Sequence, residues 1–339
     1  MNDRYSRQIL FSEIGKSGQE KLLHSRVLLV GCGALGAAHA EMLARAGVGT
    51  LRIVDRDFVE ITNLQRQTLF KESDAADRLP KAIAARTRIA EINSAIQVEA
   101  IVVDVNYSNV EGLITGCDLV MDGTDNFQVR YLLNDACVKH AKTWIYGAAV
   151  SSYGTTMTII PGETPCLRCI FDEMPDAGSA PTCDTAGVIM PIIATVAAVQ
   201  VAEALKILVG DMASLHRSLM QFDVWANDRQ RIKLGDPNQD CKTCGQKVFE
   251  YLDSETQEFS AVLCGRNAVQ IAPPRPTQLD LKALAANLSA VSEVNQNEYL
   301  VRFSASGHEI TIFADARAII KGTDDLTTAR SLYSRYIGT

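Results

Sequence analysis

Between Arg26 and Asp55 the hydropathy of the chain changes in blocks. An apolar run, Val27–Val30, leads into Gly31-Cys32-Gly33-Ala34-Leu35-Gly36. The stretch Ala37–Ala46 follows, and then a second apolar run, Leu51–Val54, closed by Asp55. Both runs are short and β-branched, as strands buried on both faces of a parallel sheet are. The blocks predict strand, glycine turn, helix, strand. The same rhythm continues with strands at Ile96–Val103, Asp118–Asp122 and Thr143–Ala149. Helices are predicted over Ala82–Ile92, Val110–Ile114, Phe127–Ala141 and Val188–Val209, and Ser151–Ile160 reads as an antiparallel continuation of the sheet. Pro80 is placed at the first helical position ahead of Lys81. Near the N-terminus, Gly18–Leu23 reads as a helix covering one sheet edge. The fold class is therefore α/β, a Rossmann-like mostly parallel sheet with helices on both faces.

From about Val248 the pattern changes. One or two short strands fall in Val262–Ile271, Pro273-Pro274-Arg275-Pro276 makes a stiff break, and Leu279–Leu288 is an amphipathic helix. Tyr299–Phe303 and Glu309–Phe313 flank a Ser306-Gly307 turn as a hairpin. Arg317–Lys321 reads as a further strand, and Asp324-Asp325 opens a last helix through Tyr336. Two domains are expected: residues 1–247, and a small C-terminal α+β domain over 248–339.

Composition narrows the classes. The chain has 339 residues, 47% of them hydrophobic, enough for a large core in two domains. A net charge of −7 argues against nucleic acid as a partner. The N-terminus lacks the charged and apolar regions of a secretory signal. The longest apolar stretch, Val188–Val199, is broken by Pro191 and is expected to be a core helix, not a membrane span. A cytoplasmic location is the expectation, and the nine cysteines are then metal ligands, reactive thiols or core residues ahead of a disulfide framework.

The glycine block has a physical reading. Gly31 allows the tight turn, Gly33 lets backbone approach a phosphate, and Gly36 lets the helix pack against the strand. The helix N-terminus offers unpaired N–H groups to an anion. Asp55 stands where an acid takes a ribose hydroxyl, so a nucleotide site is expected; this fingerprint by itself favours NAD or FAD. Asn63, Arg66 and Gln67 lie in the polar loop after Asp55, with side chains suited to phosphates. Lys81 at a helix start is either a solvated surface lysine or a phosphate partner. Thr124, Asp125 and Asn126 precede a helix: they either cap it or supply a carboxylate, Asp125, for Mg²⁺. Arg7 belongs to a basic, aromatic arm that either covers the fold or reaches a phosphate. The pairs Cys166/Cys169 and Cys241/Cys244 have the spacing of a closed, structural Zn²⁺ site. Cys183 ends a small-residue loop, Gly178–Gly187, before the long helix, which Thr185 or Asp184 caps; a thiol there is activated by the helix end or is an inert loop residue. Cys32, Cys117 and Cys137 are expected to be packed.

Taken together, Arg4-Tyr5-Ser6-Arg7-Gln8, Gly31–Gly36, Val54-Asp55-Arg56-Asp57, Asn63-Leu64-Gln65-Arg66-Gln67, Lys81, Thr124-Asp125-Asn126, both CxxC pairs and Cys183 with Ala186-Gly187-Val188 resemble the ThiF/MoeB/HesA adenylyltransferases. These are bacterial relatives of the ubiquitin-activating enzymes, and the resemblance covers about residues 1–247. It implies ATP in place of NAD. It also implies a ubiquitin-like sulfur-carrier substrate, ThiS- or MoaD-like, whose C-terminal Gly-Gly carboxylate attacks the α-phosphorus of Mg·ATP to give an acyl-adenylate and pyrophosphate. Sulfur from a cysteine desulfurase or another donor then makes a thiocarboxylate. By this resemblance Arg66, Lys81 and Arg7 offset phosphate charge, with Arg7 coming from the other subunit of a homodimer. Asp125 holds Mg²⁺, Asp55 the ribose, and Asp57 and Asn63 support the pocket. Cys183 matches a loop cysteine that some relatives link covalently to the carrier. Thiamin and molybdopterin biosynthesis are both open as the pathway served.

Alternatives within reach are an adenylating tRNA-modifying dehydratase of the same superfamily, a nicotinamide dehydrogenase, and a scaffold that binds a carrier without activating it. The C-terminal domain lacks a recognisable rhodanese loop. Cys264 is a sulfur-carrying thiol or a half-buried strand residue, and Arg266, Arg317, Lys321 and Arg330 are a docking patch or a solvated face.

Overall fold

The computed structural model describes residues 3–175, 182–253, 260–263, 267–273, 277–290 and 292–337. The loop residues 176–181, Cys264, Arg266 and residues 274–276 of the proline break lie outside them. The chain divides into two units, Met1–Thr256 and Gln257–Thr339.

In the first unit the strands are β1 (Arg26–Val30), β2 (Thr50–Val54), β3 (Gln97–Ile101), β4 (Leu119–Asp122), β5 (Trp144–Val150), β6 (Tyr153–Ile159), β7 (Ser218–Asp223) and β8 (Asp228–Lys233). The helices are α1 (Ser6–Ile9), α2 (Gly15–His24), α3 (Ala34–Ala46), α4 (Glu72–Ala76), α5 (Lys81–Ile92), α6 (Val110–Ile114), α7 (Phe127–Lys139), α8 (Leu167–Ile170), α9 (Cys183–Ala186) and α10 (Met190–Val209). The eight strands form one sheet in the order β3-β2-β1-β4-β5-β6-β7-β8. β1 to β5 pair in parallel, and β6, β7 and β8 continue antiparallel. From β1 the chain builds outward through β2 and β3, then crosses to β4 on the other side of β1. The connections part at the carboxyl ends of β1 and β4, the place where open α/β sheets hold ligands.

Helices cover both faces. Leu22, Leu43, Ile89 and Val201 bring α2, α3, α5 and α10 into one core. Ile114 and Leu133 bring α6 and α7 into the other, around Trp144. Each fully buried aliphatic side chain contributes about 1.5–3 kcal/mol. Three expectations change. α2 lies over a sheet face instead of an edge, because Leu22 is core. α3 starts at Ala34, so Gly36 is already helical. Pro80 occupies the cap position of α5, outside the helix, where it bridges Phe58. The hydropathy pattern also missed β7, most of whose residues are buried, and β8, whose six residues are all exposed and which therefore shows no apolar alternation.

Among the described residues α10 alone is long and apolar enough to cross a membrane, and 56% of that stretch is buried within the protein. It is apolar on most sides because α2, α3, β5 and β6 surround it.

The second unit is a six-stranded antiparallel sheet, β9 (Ser260–Leu263), β10 (Ala268–Ile271), β11 (Val294–Gln296), β12 (Leu300–Ala305), β13 (His308–Phe313) and β14 (Ala318–Lys321), in the order β11-β12-β13-β14-β10-β9. α11 (Leu281–Leu288) and α12 (Leu326–Tyr336) pack on it around Val269, Val301, Phe303, Ile310 and Ile320. Asp325 caps α12 through the N–H groups of Thr327 and Thr328. Arg317 is 1% exposed and stacks 4.0 Å over the Phe313 ring, which removes it from any solvated or docking face.

The first unit extends past residue 247. The turn Glu250–Leu252 folds onto α7: the Tyr251 N–H donates to Asp135 Oδ2 at 2.9 Å, and its ring lies 5.0 Å from that of Tyr131.

Candidate active site at the sheet switch point

Three glycines interlock where β1 and β4 end. Gly31 has φ +86°, a conformation side chains rarely adopt, and a Cβ there would meet the Gly123 carbonyl at 2.8 Å. A Cβ on Gly36 would strike the Gly31 oxygen, and one on Gly123 would lie 2.7 Å from that oxygen. These glycines serve packing of α3 against two strand ends. Gly33 differs: a Cβ there would find its nearest atoms, Gln67 Nε2 and the Gly123 oxygen, 3.9 Å away. Packing therefore does not require a glycine at position 33 as it does at positions 31 and 36. Gly33 is the cap residue of α3, with no side-chain cap for the first N–H groups of that helix.

Strand ends supply the acids. Asp55, directly after β2, is 8% exposed; the Cys32 N–H donates to its Oδ2 at 2.6 Å and the Asp57 N–H to its Oδ1 at 2.7 Å. Asp55 thus fixes the glycine turn against the next loop. Burial pushes its carboxyl up, opposed by Lys81 and the two N–H donors. Lys81 is 5% exposed and its Nζ lies 3.2 Å from Asp57 Oδ2, so the solvated-lysine alternative is overturned. The Lys81 N–H also donates to the Asp57 carbonyl, which seats the start of α5 at this edge. Arg56 joins the group, with Nη1 3.0 Å from Asp104 and Nε 3.8 Å from Asp57.

The loop between β2 and α4 places the remaining candidates. Asn63 Oδ1 accepts from the Glu60 N–H at 2.9 Å, which closes the short turn Ile61–Asn63. Arg66 is half-buried and Nη1 donates to the Thr62 carbonyl at 3.0 Å. Gln67 is 3% exposed, and its Oε1 is buried with no hydrogen-bond partner. Its Nε2 is one of the two atoms nearest a Cβ built on Gly33, so this buried amide stands beside the glycine turn.

On the β4 side Asp125 is exposed at the carboxyl edge, while the Asn126 side chain accepts from the Val129 N–H and caps α7. Capping therefore falls to Asn126 and leaves the carboxylate of Asp125 facing solvent. Beneath them lies a pair that sequence reasoning missed. Asp122, fully buried, accepts from Arg130 Nε at 3.1 Å, the Thr124 N–H at 2.9 Å and the Thr124 hydroxyl at 2.7 Å. Arg130 Nη2 also donates to the carbonyls of Thr124 at 2.6 Å and Gly147 at 3.2 Å. The pair clamps the Gly123–Asn126 loop. A signal existed: the strand runs Leu51–Val54 and Leu119–Met121 are each followed by an aspartate and then by a polar loop. Behind Asp122, Gln200 donates to its carbonyl at 3.3 Å and pairs with His39 at 2.8 Å.

Cys183 reaches the same edge. It opens α9, and its Sγ donates to the Ala149 carbonyl, near the end of β5, at 3.5 Å. Thr182 caps α9 with Thr185 in reciprocal contact, whereas Ile189 stands at the cap of α10 with no side-chain cap, so neither Thr185 nor Asp184 holds that position. Arg7 is not brought here. It is exposed on an arm whose Tyr5 lies against Gly47 and whose Gln8 donates to the Ala46 carbonyl, at the far end of α3.

The four cysteines converge behind α7. Sγ–Sγ separations are 3.6 Å for Cys166/Cys241, 3.8 Å for Cys166/Cys169 and 3.2 Å for Cys169/Cys244, and all four lie within 4.8 Å of one another. Disulfides would need about 2.0 Å. A tetrahedron with Zn–S near 2.3 Å places its sulfurs ~3.8 Å apart, so the set fits zinc. The cluster is tied to α7: the Leu167 N–H donates to Asn134 Oδ1 at 2.9 Å and the Thr243 hydroxyl to Asp135 Oδ1 at 2.7 Å. Cys32, Cys117 and Cys137 are buried, and desolvation pushes their thiols up.

A doubly wound sheet with a glycine turn, a buried lysine and clamped acids at its switch point places the chain among the α/β proteins whose ligands bind at that edge. The chain belongs to the ThiF family, whose model matches residues 5–243. It is 46% identical, over the full length of both chains, to the sulfur carrier protein ThiS adenylyltransferase of Bacillus subtilis. It is 39% identical to the SAMP-activating enzyme E1 of Haloferax volcanii over 72% of this chain and 89% of that one. Among solved structures, a crystal structure of E. coli MccB with ATP aligns with a TM-score of 0.63 at 25% identity, covering 72% of this chain and 75% of that one. The Bacillus alignment includes the second unit; the Haloferax alignment leaves more than a quarter of the chain unmatched.

Proposed function

We propose that the protein is an ATP-dependent adenylyltransferase acting on the C-terminal Gly-Gly carboxylate of a ubiquitin-like sulfur carrier. Its product is an acyl-adenylate, with pyrophosphate released, and thiocarboxylate formation follows. The observation that carries this reading is Lys81, an ammonium 5% exposed beside the glycine turn. A lysine drawn out of water at the start of a helix, at the carboxyl edge of the sheet, is placed to meet an anionic ligand. The similarity to the Bacillus ThiS adenylyltransferase supports the carrier as substrate, and that to MccB with ATP supports the nucleotide.

Adenylation needs two anions to meet, so positioning and fixed charge do most of the work. In this reading the N-terminus of α3 and Gly33 receive phosphate oxygens, Lys81 and Arg66 offset their charge, and Gln67 donates or accepts through its buried amide. Asp55 orients the ribose side while Asp57 and Asn63 keep the loop in place. Asp125, an exposed oxygen donor at the edge, would hold Mg²⁺, which when bound neutralises phosphate charge. Cys166, Cys169, Cys241 and Cys244 would hold structural Zn²⁺, bracing α7, the helix that begins at the Asp125 loop. Arg7 is exposed on an arm held at the far end of α3 from this site, which suits delivery to a second copy in a homodimer. Cys183 would act after adenylation, with a desulfurase or other donor supplying the sulfur.

The test is carrier-dependent exchange of labelled pyrophosphate into ATP, with a ThiS-type carrier ending in Gly-Gly. Arg66→Ala and Asp125→Ala are each expected to abolish exchange with the fold intact by circular dichroism; undiminished exchange in either removes that residue from the site.

A further inference from the structure

The peptide that joins Asp122 to Gly123 is pinned at both of its polar ends. Its N–H, on Gly123, donates to the Val30 carbonyl at the end of β1 at 2.8 Å. Its carbonyl, on Asp122, accepts from Gln200 Nε2 at 3.3 Å, and the same amide nitrogen donates to the Ile145 carbonyl of β5 at 3.4 Å. β4 and β5 pair as far as Met121 and Ile145. Beyond that register the Gly147 N–H donates to Asp122 Oδ2 at 3.5 Å, and the Asp122 carbonyl goes to the Gln200 amide. β5 makes room for that amide with a glycine: a Cβ on Gly147 would stand 2.5 Å from Gln200 Nε2.

Gln200 is fully buried on α10, and its amide has one orientation open to it. The two carbonyls can only accept, so Nε2 faces them and Oε1 is left for His39 Nε2 at 2.8 Å. His39 is fully buried on α3, and its Nδ1 has no hydrogen-bond partner among the described residues, so the ring is neutral with its proton on Nε2. A chain of donors therefore runs from α3 through α10 to the Asp122–Gly123 peptide. Gly123 in turn packs on Gly31 and Gly36, the glycines of the turn into α3, and begins the loop that carries Asp125.

One peptide plane thus stands between the N-terminus of α3 and the Asp125 carboxylate. We infer that Gln200, oriented by His39, is a positioning residue that fixes the spacing between the phosphate-binding helix end and the metal-holding loop, so that nucleotide and Mg²⁺ bind as one unit. The inference rests on the adenylation reading above. Gln200 touches neither ligand and acts through the peptide. Without its donor the Asp122 carbonyl loses a buried hydrogen bond, and the peptide is free to turn. The helix end still receives phosphate; the alignment of Asp125 with it is lost.

The experiment is calorimetric titration of the full chain with ATP, with and without Mg²⁺ and with no carrier present. The ratio of the two dissociation constants measures how strongly metal and nucleotide are coupled. In the unmodified protein Mg²⁺ is expected to tighten ATP binding. Gln200→Met should reduce that tightening about tenfold while the Kd without Mg²⁺ stays within about twofold of the parent. His39→Leu should reduce it about threefold, and His39→Gln, which keeps a donor for Gln200 Oε1, should restore it. A merely structural role would lower the melting temperature, or weaken ATP binding equally with and without Mg²⁺. An unchanged ratio in Gln200→Met overturns the inference. Where that variant does not fold, an unchanged ratio in His39→Leu overturns it, as does a His39→Gln no better than His39→Leu. ATP binding by the unmodified protein that ignores Mg²⁺ also overturns it, whereas no ATP binding at all would count against the adenylation reading itself.

Discussion

Replacing Arg130 by Met keeps the length of the side chain and removes its charge. The partner, Asp122, is fully buried and would lose the Nε contact at 3.1 Å, while the carbonyls of Thr124 and Gly147 would lose their donor. Breaking a buried pair from one side costs about 3–5 kcal/mol, because the remaining charge stays desolvated. For a unit of this size that is a fall in melting temperature of roughly 10 °C. The deficit has a pH signature. Burial pushes the Asp122 carboxyl up and Arg130 opposes this. Without Arg130 the carboxyl rises further. An acid whose folded pKa lies above its unfolded value weakens the fold as it ionises, so this penalty is absent below the unfolded value and complete above the folded one. The gap between variant and parent should be widest above the folded value and narrow as pH falls towards the unfolded value of about 3.9. Thermal melts of both proteins, followed by circular dichroism across that range, measure it. A melting temperature within about 1 °C of the parent, or a gap independent of pH, would refute the assignment of Asp122–Arg130 as the clamp of the Gly123–Asn126 loop.

Three further outcomes are expected. His39 is fully buried and desolvation lowers its pKa to about 4. Its contribution, up to about 3 kcal/mol, is present above the unfolded value near 6.5 and is lost as pH falls through about 4. His39→Gln should therefore flatten the decline in stability between those values relative to the parent, and parallel curves would contradict the reading. Elemental analysis should find one zinc per chain, and chelation should lower the melting temperature by about 5 °C or more; no metal with an unchanged melt would assign the four cysteines another role. Cys183→Ala should spare pyrophosphate exchange and slow thiocarboxylate formation, and an equal yield of thiocarboxylate would exclude Cys183 from sulfur transfer.

Blocks of apolar and glycine residues made the parallel core legible, because strands buried on both faces carry an unbroken hydrophobic signal. The places of Gly31, Gly33, Gly36 and Asp55 at strand ends, and the convergence of the CxxC pairs, could be read from local spacing. What escaped was set by long-range geometry. Gly123 is constrained by the backbone of Gly31 and Gly36, from a strand that neighbours β1 only after a crossover. Asp122–Arg130 and Gln200–His39 are buried polar pairs whose partners the sequence does not connect. β8 was invisible because a fully exposed edge strand carries no alternation. Arg317 looked like surface charge, yet it folds onto Phe313. Asn126 and Asp125 stood as equivalent candidates until the backbone assigned the cap to Asn126.

The central claim is that the switch point brings a peptide carboxylate to the α-phosphorus of ATP. It is tested most directly by incubating the protein and a ThiS-type carrier with Mg²⁺ and ATP labelled at either the α or the γ phosphorus, and then isolating the carrier without added sulfur donor. The account predicts label on the carrier from the α position alone, with pyrophosphate released; label from the γ position, or from neither while ATP is bound, would contradict it.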